Sequence, residues 1–311
     1  MTGPRTPLRL DFHSVSKWYG QVSALTDLSF GICGGVTGLV GRNGAGKSTI
    51  IKLACGLLCP SQGSIEIANE QPSKSAALRR SIGLCPDLDR CYEEQSGRTF
   101  VAWMLRLCGF TGKAARMRAG EVLAELGLGA AMDRRIATYS KGMRQRVKLA
   151  QAIAHDPGLL VLDEPMNGLD PVARHELGQA VTALAARGVT VLVSSHVLHE
   201  LEAIVDRVLV VHQGKLIAAG SVAELRAEMA DRPFQVQVRS PRPRVLAARL
   251  VQSGTVLGVE IEEQRLLLRT AGGAAFHGAL TTIGAEPEGL VTEVQPLDDS
   301  LEAVFGYLVS R

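Results

Sequence analysis

A glycine-rich stretch near the start of the chain carries the clearest chemistry. Residues 41–49 read GRNGAGKST and match G-x-x-x-x-G-K-[ST], between a strand-like and a helix-like run. Glycines let backbone N–H groups turn toward phosphate oxygens, and the amino end of the following helix adds about half a positive charge. We therefore predict a phosphate cradle in which Lys47 pairs with the β- and γ-phosphates and Ser48 offers its hydroxyl to Mg²⁺. Its residues are Gly41, Arg42, Asn43, Gly44, Ala45, Gly46, Lys47, Ser48 and Thr49.

Two adjacent carboxylates end a second apolar run. Asp163 and Glu164 follow LLVL at 159–162, and Pro165 ends the strand-like pattern. In proteins that bind nucleoside triphosphates, a carboxylate at the end of a buried strand holds the metal ion that bridges the phosphates. A second carboxylate beside it can act as a general base on the attacking water. We therefore expect Asp163 at the metal and Glu164 at the water.

A third segment, YSKGMRQR at 139–146, precedes an amphipathic helix. Ser140 can cap that helix and Gly142 leaves its backbone open, so the start of the helix forms a second anion site. Because the chain already holds one phosphate cradle, we expect this second site to face the nucleotide of a partner subunit. A plain helix start is the alternative interpretation.

The elements around these residues follow an alternating pattern. Strand-like apolar runs at 36–40, 159–163 and 190–195 alternate with helix-like segments, which predicts an α/β fold with a mainly parallel core sheet covered on both faces. Interleaved polar and apolar residues over 8–32 and 63–68 predict a small antiparallel β subdomain.

Helical periodicity marks an insertion before the strand that carries Asp163. Apolar residues at helical spacing over 98–127 and 142–154 predict a helical subdomain at about 86–156. Two more helices are predicted at 171–188 and 196–204, and a strand pair at 207–220.

The residue pattern of the chain changes after about residue 230, where DRPFQVQVRSPRPR resembles a linker into a new domain. We expect residues 1–229 to form one domain and residues 230–311 a smaller α+β accessory domain. Its order, βαββαβ, resembles a ferredoxin-like module. The expected strands are 234–239, 256–262, 265–270 and 290–295, and the expected helices are 242–252, 274–284 and 299–309.

Length and composition exclude several classes of protein. A chain of 311 residues with 46% apolar and 21% charged residues is typical of a globular protein of about two domains, not of a disordered one. No run approaches the 18 or so apolar residues of a membrane span. The net charge of +3 gives no argument for nucleic acid. Six cysteines without a C-x-x-C pair predict reduced thiols, and the absence of an apolar leader over residues 1–12 predicts a cytoplasmic protein.

Together these segments resemble the ATPase subunit of ATP-binding cassette (ABC) transporters, over roughly residues 8–225. LVGRNGAGKST and LLVLDEPMNGLDP are close to the two nucleotide motifs of that family of P-loop NTPases. YSKGM stands at the family's signature motif, whose common form is Leu-Ser-Gly-Gly-Gln, and it resembles exporter-type branches. It keeps Ser140 and Gly142 and departs at Tyr139, Lys141 and Met143.

The resemblance implies further site residues. Asp170, at the end of the D-loop Gly168-Leu169-Asp170, would cross a dimer interface, and His196 would contact the γ-phosphate. Tyr19 would stack on adenine. The alternative for His196 is a loop histidine with an ordinary hydrogen bond. The alternative for Tyr19 is a core aromatic residue at the end of a strand. Where the family has a Gln that reads the metal site, this chain has Asp87, which cannot donate a hydrogen bond as an amide does. Asp87 is therefore a metal-site candidate that departs from the family.

The function that the resemblance implies is ATP binding and hydrolysis that powers transport, in the direction of export. Two copies would pair head to tail around two Mg-ATP, on the cytoplasmic face of the cell membrane. A separate transmembrane permease subunit would carry the cargo and meet this chain around residues 85–100. No nucleic acid partner is expected.

Two alternative functions remain. An ATPase of this family that acts on DNA or ribosomes would need a long coiled coil or tandem cassettes, and the sequence has neither. A nucleotide switch that binds ATP without hydrolysing it is disfavoured by Glu164.

Overall fold

The structure, a computed structural model, describes residues 6–87, 92–196, 201–227, 234–270, 273–285 and 289–297. The chain divides into two compact units, Met1–Ser221 and Val222–Arg311. The boundary expected between residues 229 and 230 lies outside the described ranges. The same holds for the predicted helix at 299–309 and for residues 197–200 of the helix predicted at 196–204.

The first unit is built on a six-stranded sheet. Its strands are β3 (Val36–Val40), β5 (Ile82–Cys85), β6 (Leu159–Leu162), β7 (Thr190–Ser195), β8 (Arg207–His212) and β9 (Lys215–Ser221). The order across the sheet is β5-β6-β7-β3-β8-β9, and every pairing is parallel except that of β8 with β9. The expected mainly parallel sheet is confirmed. The carboxyl ends of β3, β6 and β7 meet at one edge, which is where ligands bind in such sheets.

A three-stranded antiparallel sheet forms the predicted β subdomain. It consists of β1 (Arg9–Tyr19), β2 (Val22–Cys33) and β4 (Gln62–Ile67), in the order β2-β1-β4. The rings of Phe12 and Phe30 stack with centroids 4.4 Å apart, and Phe12 belongs to the buried apolar cluster of this unit.

The helices of the first unit include the predicted helical insertion, formed by α3, α4 and α5. The helices are α1 (Lys47–Ala54), α2 (Ala76–Arg79), α3 (Gly97–Leu107), α4 (Gly112–Glu125), α5 (Lys141–Ile153) and α6 (Pro171–Ala186). Helix α5 begins after Ser140, whose Oγ accepts a hydrogen bond from Met143 N at 3.3 Å. None of the helices in the described ranges is long and apolar enough to cross a membrane.

The second unit has the βαββαβ order that the sequence predicts. Its elements are α7 (Val222–Ala227), β10 (Phe234–Arg239), α8 (Pro243–Gln252), β11 (Gly258–Glu262), β12 (Arg265–Thr270), α9 (Gly273–Gly284) and β13 (Glu293–Pro296). The sheet order β11-β12-β10-β13, with every pair antiparallel, is the ferredoxin-like arrangement. Val238, Leu266 and Leu268 pack with Leu246 and Phe276 in its core.

Cysteines take no part in cross-links in the described part of the chain. The five that it contains are all free. Burial raises the pKa of the Cys55 thiol to about 12, with a smaller contribution from Asp163.

Candidate nucleotide-binding site

The loop between β3 and α1 has the backbone that a phosphate cradle needs. Gly44 and Gly46 have φ angles of +81° and +109°, in the left-handed region that favours glycine. A Cβ on Gly46 would lie 2.6 Å from Leu25 Cδ2. The loop therefore packs closely against β2 as it enters α1, whose first N–H groups have no acceptor within the helix.

Hydrogen bonds fix this loop beside an open cavity. Ala45 N donates to Arg42 O at 3.1 Å, and Gly214 N donates to Ala45 O at 3.0 Å. The cavity has a volume of about 580 Å³, within the range of small-molecule sites. It is lined by Arg42, Asn43, Gly44, Ala45, His196, His212 and Gln213. His212, the last residue of β8, and Gln213 after it were not predicted, since they belong to no recognisable motif.

Lys47 and Glu164, which are far apart in sequence, form an ion pair. Lys47 is buried, and its Nζ donates to Gly41 O at 2.6 Å and lies 3.3 Å from Glu164 Oε1. The loop carbonyl and the carboxylate thus hold the ammonium group at the start of α1, where phosphate oxygens would compete for it.

The Glu164 carboxylate bridges Lys47 and His196. Its Oε2 lies 2.8 Å from His196 Nδ1 and accepts from His196 N at 3.3 Å. Glu164 also has a φ of +48°, which is uncommon for a side chain of this size. With this backbone conformation, the carboxylate lies between the Lys47 ammonium group and the His196 ring. His196 also lines the cavity at the glycine-rich loop, so its hydrogen bond to Glu164 lies at the predicted site.

Ser194, on β7, links the carboxylate of Asp163 to the backbone of Glu164 and was not predicted from the sequence. Its hydroxyl donates to Asp163 Oδ1 at 2.7 Å and accepts from Glu164 N at 2.9 Å. The only signal in the sequence is the polar pair Ser194-Ser195 at the end of an otherwise apolar strand.

Asp163 is partly buried beside other charged groups. Burial raises the pKa of Asp163, nearby Asp87 and Glu164 raise it further, and the Ser194 hydrogen bond and Lys47 oppose the shift. Repulsion from Asp87 indicates that the segment after β5 approaches the Asp163 carboxylate. The backbone carbonyl of Asp87 accepts from Lys148 Nζ at 3.2 Å.

The donor set fits a magnesium ion that is held largely by phosphate. No group of three or more His, Cys, Asp or Glu side chains in the described ranges could hold a metal ion by itself. Mg²⁺ at a triphosphate needs fewer protein ligands, since phosphates and waters complete its octahedron. Asp163 Oδ1 is engaged by Ser194, and Oδ2 has no hydrogen bond to a described residue, so it is open to a ligand. Ser48 lies next to Lys47 with its side chain exposed.

Ser140, Gly142 and Asp170 lie together, at the amino ends of α5 and α6. A Cβ on Gly142 would lie 3.4 Å from Ala173 Cβ, and Asp170 Oδ1 caps α6 by accepting from Ala173 N at 2.9 Å. We call this pair of helix starts, residues 140–142 and 168–170, the α5–α6 tip. Of the described residues that line the cavity at Arg42–Ala45, none belongs to the tip.

Tyr19 ends β1 with its ring exposed. The side chain is 47% exposed, which excludes a core aromatic. Lys17 Nζ lies 5.7 Å from the centre of the Tyr19 ring and donates to Cys59 O at 2.8 Å. The described lining of the cavity does not include Tyr19.

The glycine-rich loop follows β3 of a mainly parallel sheet, and Asp163 and Glu164 follow β6, with β7 between the two strands. This arrangement defines the class of P-loop nucleoside triphosphatases. The pattern of the family described as "ABC transporter" matches residues 25–167. The chain therefore belongs to the ABC transporter family, as an ATP-binding subunit that hydrolyses ATP.

Individual relatives give the extent of the likeness. The chain is 37% identical over 214 residues to the Nod factor export ATP-binding protein I of Burkholderia orbicola (strain AU 1054), which covers 68% of this chain and 70% of that protein. It is 36% identical over 247 residues to the daunorubicin/doxorubicin resistance ATP-binding protein DrrA of Streptomyces peucetius. This match covers 79% of this chain and 74% of that protein. A solved structure of an ATP-binding subunit of an ABC transporter superposes with a TM-score of 0.64 at 30% identity, over 71% of this chain and 92% of that one.

Proposed function

We propose that this chain powers an exporter by hydrolysing Mg-ATP in a head-to-tail homodimer, through the residues described above. The observation that carries the proposal is the position of Glu164, whose carboxylate lies between Lys47 and His196 and directly follows Asp163. A general base must lie beside the phosphate-binding lysine and the metal-site carboxylate, and this geometry meets that requirement.

Each side chain has a distinct role in the reaction. Lys47 leaves its Glu164 partner to pair with the β- and γ-phosphates, which frees one carboxylate oxygen. Glu164 then accepts the proton of the water that attacks the γ-phosphorus, and His196 holds the other oxygen in place. Ser48 and Asp163 would hold Mg²⁺, with Asp87 next to them. When bound, the ion neutralises charge on the bridging phosphate oxygens.

The α5–α6 tip supports the pairing of two copies. Ser140 and Asp170 each cap a helix there, so two helix amino ends present partial positive charge at one place. The tip is separate from the described lining of the cavity in its own chain. In a head-to-tail pair, the tip of one copy would contact the γ-phosphate held by the other, and the ATP would be shared between them. Tyr19 would stack on the adenine.

An exposed aromatic patch on the helical insertion supports a membrane-subunit contact. Tyr92 and Trp103 are 61% and 41% exposed and meet edge to face at 6.2 Å, with Leu107 exposed on the same helix as Trp103. This patch overlaps the surface expected at residues 85–100, of which 88–91 lie outside the described ranges. The names of the two relatives, one for export and one for drug resistance, support export. In such a transporter this chain would work on the cytoplasmic face of the membrane.

Replacement of the general base tests the proposal. Glu164→Gln should lower ATP turnover by at least 100-fold, since general-base catalysis contributes about 10²- to 10⁴-fold. The variant should still form an ATP-dependent dimer in size-exclusion chromatography. Glu121→Gln, at an exposed pair with Arg118, is the matched control and should keep full turnover. Unchanged turnover in Glu164→Gln would overturn the catalytic assignment, and a wild-type protein that binds ATP without turnover would identify a nucleotide switch.

A further inference from the structure

We propose that Ser194 is a positioning residue that sets the geometry of both catalytic carboxylates through a single hydroxyl; this inference rests on the proposed function. The side chain is fully buried, at 0% exposure, near the carboxyl end of β7. Its two hydrogen bonds, of 2.7 Å to Asp163 Oδ1 and 2.9 Å from Glu164 N, use both its donor and an acceptor position.

The bond to Asp163 fixes which carboxylate oxygen faces the metal site. Because Ser194 occupies Oδ1, the oxygen that remains for a cation or its water is Oδ2. Lys47 and the neighbouring carboxylates influence Asp163 through charge. Among the described residues, Ser194 is the one that donates a hydrogen bond to the Asp163 side chain. Without that bond the carboxylate could rotate about its Cβ–Cγ bond, and neither oxygen would keep a fixed direction.

The bond from Glu164 N stabilises an unfavourable backbone conformation. Glu164 has a φ of +48°, in the left-handed region that is unfavourable for a non-glycine residue. An acceptor placed for its N–H offsets this cost and keeps the carboxylate between Lys47 and His196. Ser194 therefore acts on the base through its backbone and on the metal-site carboxylate through its side chain.

The same strand supplies a matched control. Thr190, at the other end of β7, is also fully buried, and its Oγ1 also makes two hydrogen bonds. It donates to Leu8 O at 2.6 Å and accepts from Gly34 N at 2.9 Å. Thr190→Val therefore removes the same number of hydrogen bonds from the same strand, away from both carboxylates.

The experiment compares Ser194→Ala, Ser194→Thr and Thr190→Val in the full chain. For Ser194→Ala we expect kcat to fall by about 10- to 100-fold, the usual effect of removing the partner of a metal ligand. The affinity for ATP in EDTA, measured with a fluorescent ATP analogue, should stay within about 3-fold, since the cradle and Lys47 are unchanged. The affinity for Mn²⁺ in the presence of the non-hydrolysable analogue AMP-PNP, followed by electron paramagnetic resonance, should fall by about 10-fold.

The two remaining variants separate positioning from stability. Ser194→Thr keeps the hydroxyl and should restore most of kcat and of the Mn²⁺ affinity. Thr190→Val should lower the melting temperature about as much as Ser194→Ala but leave kcat and Mn²⁺ binding near wild type. Equal losses of kcat in Ser194→Ala and Thr190→Val, or unchanged Mn²⁺ affinity in Ser194→Ala, would overturn the role of Ser194. Failure of the proposed function would instead show as absent turnover in the wild-type protein.

Discussion

His196 and Glu164 are joined by their side chains, with Nδ1 of the histidine 2.8 Å from Oε2 of the glutamate. The histidine is 39% exposed and also lines the cavity at the glycine-rich loop, whereas the carboxylate is 12% exposed. His196 therefore contacts Glu164 and also faces the cavity. On the proposed function, a residue in this position can hold Glu164 in place until phosphate binds.

We expect His196→Ala to lower kcat by about 10- to 100-fold, since Glu164 Oε2 would lose the hydrogen-bond partner that orients the carboxylate. ATP binding in EDTA should change little, because Lys47 and the loop N–H groups remain. Steady-state ATPase assays and equilibrium binding measure the two effects. His175→Ala, on α6 and bonded to Gln179 at 3.0 Å, is the control and should behave as wild type. Full activity of His196→Ala would contradict the role drawn from its contact with Glu164.

Asp163 makes the stability of the free protein depend on pH. Burial and nearby Asp87 and Glu164 raise its pKa above the unfolded value of about 3.9. For a carboxyl group with a raised pKa in the folded state, the ionised form is the less favourable one. Its contribution to stability is therefore fully present below the unfolded pKa and is lost as the pH rises through the folded pKa.

Asp163→Asn should therefore melt at a higher temperature than the wild type at pH 7.5 without Mg²⁺ or nucleotide. The difference should shrink as the pH falls toward 4, where the wild-type carboxyl group becomes protonated. Differential scanning calorimetry across this range measures it, with Asp133→Asn, at an exposed pair with Arg98, as control. A difference that does not vary with pH would mean that the charge of Asp163 is not its cause.

Contiguous motifs and long-range contacts differed in how well they could be predicted. The cradle at 41–49 and the carboxylates Asp163 and Glu164 are predictable because each lies within one short segment whose residue types define its chemistry. Ser194 is not, because its hydrogen bonds depend on the register of β6 against β7, in which Leu162 pairs with Val193. No short pattern encodes that register.

Strand β5 shows the same limit for the fold. The sequence analysis did not predict it, since four residues, IGLC, carry little periodicity. In the structure β5 is an edge strand, and its free edge is bonded by one side chain of α5 and one that follows α5. Gln151 Nε2 donates to Leu84 O at 2.7 Å, and His155 Nε2 lies 3.1 Å from Ile82 O. Such capping of an edge arises only from tertiary packing.

This capping predicts a large effect of one polar residue. Gln151→Leu should lower the free energy of unfolding by about 1–3 kcal/mol, because the part-buried Leu84 carbonyl loses its donor. Urea denaturation measures the change. Gln179→Leu, at an exposed contact on α6, should shift the midpoint by less than about 0.5 kcal/mol. An equal shift in the two variants would show that α5 does not stabilise the edge of β5 in this way.

Gly168 gives a prediction for the α5–α6 tip. It has a φ of +66°, and a Cβ there would overlap the Lys141 side chain, which lies across its α-carbon. Gly168→Ala should cost roughly 1–2 kcal/mol for the left-handed backbone and should also displace Lys141. Since Asp170 follows two residues later, we expect the ATP-dependent dimer of Glu164→Gln to weaken by at least 10-fold when Gly168→Ala is added.

Two further variants separate the steric overlap with Lys141 from the free-energy cost of the left-handed backbone at residue 168. Lys141→Ala added to Gly168→Ala removes the overlap but not the backbone cost, so it should restore dimer affinity only in part. Gly112→Ala, at a glycine with no neighbour within 4 Å of an added Cβ, should leave dimerisation unchanged. Sedimentation velocity in the Glu164→Gln background measures all three. If Gly168→Ala dimerised like its parent, the α5–α6 tip would not form the contact between copies, whereas complete recovery by Lys141→Ala would assign the whole effect to the overlap.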